Sequence, residues 1–353
     1  MIPDIPFLEC VSSLCQRIRL EEKEEEVMKI GRVIGIFACM LVLVLIAHPA
    51  LAQVTLKAAH VGSPTHQFYF QGEQFMKFLK EIAPGQFDVK MYPHSQLGGE
   101  RELVEQCSLG TVDLVIVSTG TPAHWVKEIA AVDIPYIFKD RTRAYAALDG
   151  KVGEVLGEKM LKHDMRMLGW SEVGIRHLTN NVRPIRVPED SKGLKIRVME
   201  SVVYIEMLKA WGAVATPMAF HELYTALQQN VVDGQENPAP TIRSMKFYEV
   251  QKHISLTGHV FSPTVTMVNE KYFKKLSPKI QKALTEAAFK AAKAERDFVA
   301  SKEADDLAFI KSQGMIVTTP DLEKFRQASK PVVDIMAEKV GWDIIKLIQS
   351  YQQ

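Results

Sequence analysis

The longest uninterrupted helical pattern in the chain lies between Ser277 and about Gln313. Within it no proline follows Pro278 and no glycine occurs, and the run from Ala283 to Glu295 is rich in strong helix formers. A helix of about 35 residues would extend roughly 50 Å, which exceeds the width of a single domain in a chain of this size. We therefore expect the helix to contact two domains.

Strand-like and helical segments alternate through the rest of the chain, which predicts an α/β fold with a largely parallel sheet. The predicted strands lie at 54–59, 87–92, 112–117, 195–198, 214–216, 231–234 and 315–317, and the predicted helices at 67–82, 100–109, 202–211, 221–229 and within 321–349. The helix, turn and strand that end at Asp113 match the spacing of those that end at Asp233. This indicates two similarly built domains, with a chance match as the alternative.

The N-terminus is typical of an export signal. Lys29 and Arg32 precede an apolar run at 33–47, and small residues flank a cleavage position after Ala52. The run is short for a membrane span, although a retained signal anchor is the alternative. We predict a mature periplasmic chain that begins at Gln53.

The segment before this signal is acidic, with five glutamates between 21 and 26. Export signals normally start with basic residues, so Met28 is the expected start of the protein. Residues 1–27 are then a wrongly assigned start or a dispensable extension.

Cysteine usage and charge exclude several classes of protein. Cys10, Cys15 and Cys39 precede the predicted cleavage position, which leaves Cys107 as a buried structural thiol without a disulfide partner. The net charge is +1, and no basic stripe with interleaved aromatic residues occurs. No histidine spacing suits a metal. We expect no nucleic acid, no metal and no cofactor.

Two arginines in strand-like segments, Arg176 and Arg197, are suited to binding a carboxylate. A guanidinium donates two parallel hydrogen bonds to a carboxylate and stays charged at physiological pH. Strand alternation turns Lys195 and Arg197 to one face. A solvated arginine, or one paired with Glu200, is the alternative for Arg197.

Five segments together resemble the solute-binding subunit of a tripartite ATP-independent periplasmic (TRAP) transporter, of the dicarboxylate-binding (DctP) type. They occur in order along the chain at 92–100, 174–180, 192–198, 217–228 and 232–238. The resemblance implies a two-lobe solute-binding fold with a hinge, a central cleft and a long helix that spans both lobes. It also implies that the chain is not an enzyme.

The resemblance also implies roles for individual residues. Arg197 occupies the position of the arginine that forms the principal salt bridge to the solute carboxylate, and Arg176 that of a second arginine. Asn237 matches an asparagine that holds the solute, and Phe220 an aromatic residue that lines the pocket. Glu236, beside Asn237, is included in the predicted site.

The first lobe is expected to contribute residues that read the distal part of the solute. His60 and Gln67 are the predicted site residues there, and Glu200 from the second lobe is expected to serve hydroxyl groups. Further candidates for lining or for hydroxyl binding are His66, Phe68, Tyr69, Glu73, Trp125 and Tyr136. Trp170 and Trp211 are expected in the core.

The predicted lobe I comprises 53–173 and about 262–300, and the predicted lobe II comprises 174–261 and about 301–353. The implied function is a monomeric receptor that captures a dicarboxylate, uronate, keto acid or aromatic acid. It would deliver this acid to the small and large membrane subunits of a TRAP permease. A periplasmic sensor with the same fold is the alternative, and an enzyme acting on an organic acid lacks a catalytic motif.

Overall fold

The computed structural model describes Glu26, residues 28–32, 34–35 and Gln53–Gln353. Two compact units are Met1–Ala52 and Gln53–Gln353. The predicted cleavage after Ala52, three of the cysteines and most of the apolar run lie outside the described residues. In the part that is described, no helix is both long and apolar enough to span a bilayer.

The second unit combines a mixed sheet with helices. The strands are β1 (Val54–Ala59), β2 (Phe87–Tyr92), β3 (Leu114–Ser118), β4 (Met165–Asn180), β5 (Lys195–Val198), β6 (Val214–Pro217), β7 (Gly234–Pro238), β8 (His253–Ser255), β9 (Phe261–Asn269) and β10 (Ile316–Thr318). The helices are α1 (Gln67–Ile82), α2 (Glu100–Leu109), α3 (Arg141–Asp149), α4 (Lys151–Leu161), α5 (Val202–Ala210), α6 (Leu223–Gln228), α7 (Ala239–Ser244), α8 (Glu270–Lys275), α9 (Pro278–Ser312), α10 (Leu322–Val340) and α11 (Trp342–Ser350). The α/β class is therefore as predicted.

The sheet runs in the order β2-β1-β3-β9-β4-β7-β5-β6, with β8 paired to β4 and β10 paired to β8. Strands β1, β2 and β3 pair in parallel, as do β5, β6 and β7. The predicted largely parallel sheet is wrong at the centre, because β9 and β4 run antiparallel to their neighbours. These two strands carry long buried runs, which periodicity alone does not distinguish from other buried elements.

Strand β4 joins the two halves of the sheet. Residues Met165 to Ile175 pair with β9, and residues Arg176 to Asn180 pair with β7. The register shifts between Glu172 and Gly174, shortly before this change of partner. Gly174 has a φ of 127°, and a Cβ there would lie 2.8 Å from the Cβ of Pro238.

We expect Gly174→Ala to destabilise the fold by about 1–3 kcal/mol, because an L-residue is strained at this φ and the new methyl group meets Pro238. The control is Gly157→Ala in helix α4, where a Cβ makes ordinary contacts and alanine is the better helix former. Thermal unfolding measures both variants. Equal melting temperatures for Gly174→Ala and the unchanged protein would contradict the assigned strain.

The long helix α9 contains 35 residues and is capped at its N-terminus by Ser277, whose hydroxyl accepts a hydrogen bond from the backbone of Ile280. It packs against strand β4 and against two helices, α1, which follows β1, and α7, which follows β7. Buried alanines on one face, including Ala288 and Ala292, allow β4 to approach closely at Gly169. The predicted contact of one helix with both halves of the molecule is confirmed.

Several other predictions compare directly with the structure. Cys107, Trp170 and Trp211 are buried, as expected. The strand predicted at 231–234 is wrong, because β7 spans Gly234–Pro238 and includes Asn237. Most side chains of strand β7 are polar. Val231 and Val232 are residue types that favour strands, but they follow a turn at Asn230, whose φ is 54°.

Candidate functional site

A cavity lies where the carboxyl ends of several parallel strands meet, which is where open α/β sheets bind ligands. Its lining surrounds about 320 Å³ of space that includes open solvent, and about 20 Å³ of this can hold the centre of a water molecule. The lining residues are Val61, His66, Phe68, Glu100, Ser118, Val173, Arg176, Arg197, Met199, Phe220, Asn237 and Thr241. Both halves of the sheet contribute, and the structure brings together four predicted site residues: Arg197, Arg176, Asn237 and Phe220.

Arg197, on strand β5, is almost completely buried. Its Nε and Nη2 donate to the backbone carbonyl of Met218 at 3.0 and 2.6 Å. Its Nη1 is buried and has no hydrogen-bond partner among the described residues. Burial lowers the pKa of Arg197 to about 10, so the side chain is still charged at neutral pH. A fixed cation with a spare donor faces the cavity.

Arg176, on strand β4, is committed to a protein partner. Its Nε donates to Oε2 of Glu236, and its Nη2 donates to Oε1 of Glu236 at 2.8 Å. Both side chains are buried. Burial by itself would lower the pKa of Arg176, but the charge of Glu236 outweighs this and the pKa is raised. The pair is therefore ionised and close to electrically neutral as a unit.

His259 completes this network behind the cavity. Its Nε2 lies 3.0 Å from Oε2 of Glu236, and its Nδ1 lies 2.7 Å from Oγ1 of Thr257. Burial lowers the pKa of His259, which makes the neutral ring the stable form. The neutral ring then donates from Nε2 to Glu236 and accepts from Thr257. Burial raises the pKa of Glu236, but Arg176 and His259 reverse this, and the net direction is down.

Asn237 and Phe220 line the cavity on the side formed by the half of the sheet that contains β5 and β7. Asn237, on β7, donates from Nδ2 to Oε1 of Gln235 at 2.5 Å, and its side chain lines the cavity beside Arg176. The ring of Phe220 lies 5.9 Å from the guanidinium carbon of Arg197 and contacts His66 edge-on. The aromatic face helps to hold the Arg197 cation in place.

Glu100, the first residue of α2, enters the cavity from the other half of the sheet. Its Oε1 accepts from the backbone and hydroxyl of Ser118 at 2.8 and 2.7 Å. Its Oε2 accepts from Thr121 at 3.1 Å. Burial raises the pKa of Glu100, although these hydrogen bonds oppose the shift. Glu100 is the last residue of the 92–100 segment that carries the family resemblance, but the sequence alone predicted no role for it.

His66 lies opposite, at the N-terminus of α1. Its Nδ1 accepts a hydrogen bond from the backbone of Phe68 at 3.2 Å, so the ring proton belongs on Nε2. Burial lowers the pKa of His66 to about 3, and the ring is neutral at physiological pH. His66 can therefore offer one neutral donor.

The remaining predicted residues lie outside the cavity wall. His60 is buried, with its Nδ1 accepting from the backbone of Gly62. Gln67 is also buried and donates to the carbonyl of Val173 and to Thr241, both at 2.9 Å. Gln67 thereby supports two cavity-lining residues. Glu200 lines a second pocket that shares Arg197 with the cavity, and its Oε1 lies 3.7 Å from Nη1 of Arg101.

Asp133 is a buried acid that sequence reasoning missed. Thr119 Oγ1 lies 2.8 and 2.9 Å from its two oxygens and 3.0 Å from the carbonyl of Pro263. Tyr204, whose ring lies 5.3 Å from the guanidinium carbon of Arg176, donates to Asp133 at 3.3 Å. Burial raises the pKa of Asp133 to about 7. A protonated Asp133 donates to Thr119, which then donates to Pro263.

We expect Asp133→Asn to stabilise the protein above pH 7 and to have little effect near pH 4. The folded state keeps a proton that the unfolded state releases as pH rises from about 4 to 7, so the unchanged protein loses stability across that window. The loss is about 4 kcal/mol at most. Denaturant unfolding at several pH values measures it, with the exposed Asp305→Asn as control. A gain independent of pH would contradict the assigned protonation.

The described residues contain no group of histidine, cysteine, aspartate and glutamate side chains that could hold a metal ion. The cavity instead offers a charged donor at Arg197, a neutral donor at His66, an acceptor at Glu100 and apolar walls. This combination suits a small anion with additional polar groups.

Comparison with known proteins gives a consistent result. The family model "Bacterial extracellular solute-binding protein, family 7" (DctP) matches residues 58–339. A TRAP periplasmic solute-binding protein from Polaromonas sp. JS666, bound to D-erythronate, is 41% identical with a TM-score of 0.82, covering 84% of this chain and 99% of that one.

Two further proteins are similarly close. A TRAP periplasmic solute-binding protein from Bordetella bronchispeptica, with density assigned to pantoate, is 37% identical with a TM-score of 0.82, covering 85% of this chain and 100% of that one. The sialic acid-binding periplasmic protein SiaP of Vibrio cholerae is 36% identical over 300 residues, which are 85% of this chain and 93% of the relative. The predicted two-lobe fold is confirmed, and the chain belongs to family 7 of the bacterial extracellular solute-binding proteins, the DctP family of TRAP solute receptors.

Proposed function

We propose that this protein is the periplasmic receptor of a TRAP transporter and binds a small organic acid through the acid's carboxylate. The observation that carries the proposal is the buried Nη1 of Arg197, which has no partner among the described residues. A carboxylate supplies both the missing acceptor and the missing negative charge.

The energetics favour an anion at this position. Arg197 forms no direct ion pair among the described residues, and burial lowers its pKa although the charges of Glu236, Glu100 and Glu200 oppose the shift. Arg176 does not share the problem, because Glu236 already neutralises it. An anion that enters beside Arg197 is therefore held mainly by this one guanidinium. The same gain favours closure of the two lobes over the solute.

We also propose that the protein delivers the solute to a membrane permease and that its two lobes have the bounds given below. Family membership supports handover to the small and large membrane subunits of a permease, and it supports a binding rather than a catalytic role. Lobe I comprises 53–173 and about 262–300, and lobe II comprises 174–261 and about 301–353. The change of partner along β4 between Ile175 and Arg176 supports a hinge at this position.

A thermal-shift screen tests the proposed function. The protein from Gln53 to Gln353, stripped of co-purified ligand, is screened against monocarboxylates, dicarboxylates, uronates, keto acids and aromatic acids. A ligand at a hundredfold excess over its Kd stabilises the folded state by about 2.7 kcal/mol. We expect a clear rise in melting temperature with one class of acid. No rise with any acid would overturn the proposed function.

A further inference from the structure

We propose that Glu100 makes the receptor selective for hydroxylated monocarboxylates and excludes dicarboxylates. This inference rests on the proposed function, because it assumes that one carboxylate binds at Arg197. It assigns to Glu100 the recognition of a hydroxyl group on the solute.

The charges around the cavity limit the number of carboxylates that a bound solute can carry. Among the described lining residues, Arg197 and Arg176 are the two cations, and Glu236 neutralises Arg176. Glu100 adds a carboxylate to the wall, and the neutral ring of His66 adds no charge. One solute carboxylate satisfies Arg197. A second would enter a buried site without a cation and would be repelled by Glu100.

The hydrogen bonds of Glu100 leave room for one more donor. A carboxylate has about four acceptor positions, two on each oxygen. Oε1 already receives the backbone N–H and the hydroxyl of Ser118, whereas Oε2 receives only the hydroxyl of Thr121. The free position on Oε2 can accept a solute hydroxyl. These three donors also fix the side chain, so little conformational entropy is lost when the solute binds.

The position of Glu100 relative to Arg197 agrees with this role. Burial lowers the pKa of Arg197, and Glu100 is one of the carboxylates, after Glu236, whose charge opposes this shift. Both residues line the cavity and also a second pocket, which shares Met199 and Phe220 with it. His66, with its proton on Nε2, supplies a donor for a hydroxyl or keto oxygen of the same solute.

The test compares acids that differ only at the end remote from the carboxylate. Each monocarboxylate is paired with the dicarboxylate obtained by oxidising its terminal CH₂OH group: erythronate with meso-tartrate, and gluconate with glucarate. Butyrate and succinate form a pair without hydroxyl groups. Isothermal titration gives the Kd of every acid for the unchanged protein, for Glu100→Gln and for the control Glu105→Gln, an exposed residue on the same helix.

We expect the unchanged protein to bind the hydroxylated monocarboxylate of a pair at least a hundredfold more tightly than its dicarboxylate. Glu100→Gln should reduce this ratio at least tenfold, because it removes the repulsion and weakens the hydroxyl contact. Glu105→Gln should leave the ratio unchanged. As a second variant, Glu100→Asp keeps the charge but shortens the side chain, so dicarboxylates should stay excluded while the hydroxylated acid binds more weakly.

Two results would overturn the inference while the proposed function stands: dicarboxylates that bind as tightly as their partners, or a ratio that Glu100→Gln does not change. If Glu100→Gln fails to fold, dicarboxylate binding by Glu100→Asp gives the decision. The absence of binding by every acid of the screen is a different result, which overturns the proposed function and this inference with it.

Discussion

Arg197→Ala is expected to weaken solute binding by roughly 30-fold to several thousandfold. Removing one partner of a buried charge pair costs about 2–5 kcal/mol, largely because the solute carboxylate is left buried without a counter-charge. The loss should appear with every acid that the receptor binds, since all of them share the carboxylate. Isothermal titration with the acid identified in the screen measures this change.

The controls separate loss of the site from loss of the fold. Lys195→Ala removes an exposed cation from the same strand and should leave the Kd unchanged. Arg197→Lys keeps the charge but not the two-pronged geometry, so its affinity should lie between those of the unchanged protein and Arg197→Ala. Arg197→Ala that binds with the original Kd would contradict the assigned role.

Glu236→Gln is expected to lower the stability of the protein by about 3 kcal/mol or more. The substitution leaves the buried guanidinium of Arg176 without its negative partner, and breaking such a pair typically costs 3–5 kcal/mol. A loss of this size lowers the melting temperature by several degrees in a protein of about 300 residues. Calorimetry in the absence of ligand measures the effect directly.

The matched control is Glu154→Gln, which breaks the exposed ion pair with Lys151 and should cost about 0–1 kcal/mol. Combining Arg176→Met with Glu236→Gln removes both charges and should cost less than the sum of the two single changes. Additive losses, or a Glu236→Gln variant as stable as the control, would show that the two charges are not coupled.

Much of the fold was predictable because local pattern and final structure agree. The predicted bounds of β1, α1, β2 and α2 match those observed, and α9 differs from its prediction by a single residue at each end. Alternating strands and helices, caps and strong helix formers act locally. The antiparallel course of β4 and β9 was not predictable, because it depends on which distant strands meet.

The site was predictable only in part, for a similar reason. The motif positions identified Arg197, Arg176, Asn237 and Phe220, all of which line the cavity. The pairing of Arg176 with Glu236 joins residues sixty positions apart, and no local pattern shows it. His66 was one of several sequence candidates for hydroxyl binding, and it lines the cavity. Glu100 becomes visible as a candidate only when the loops of the first half of the sheet are placed opposite β5.

Strand β7 shows how function can obscure a structural signal. Its residues between Gly234 and Pro238 are buried, although most of their side chains are polar. These side chains form hydrogen bonds instead of apolar contacts: Glu236 accepts from Arg176, Gln235 donates to Thr179, and Asn237 donates to Gln235. Propensity therefore favoured the neighbouring valines at 231 and 232, while the strand that carries site residues lacked an apolar pattern.

The most direct test of the account is a crystal structure of the protein with the acid that gives the largest thermal shift. We expect the solute carboxylate within about 3 Å of the Arg197 guanidinium, with Nη1 among the donors, and Arg176 still paired with Glu236. A carboxylate bound away from Arg197, with Nη1 still unpartnered, would contradict the central claim.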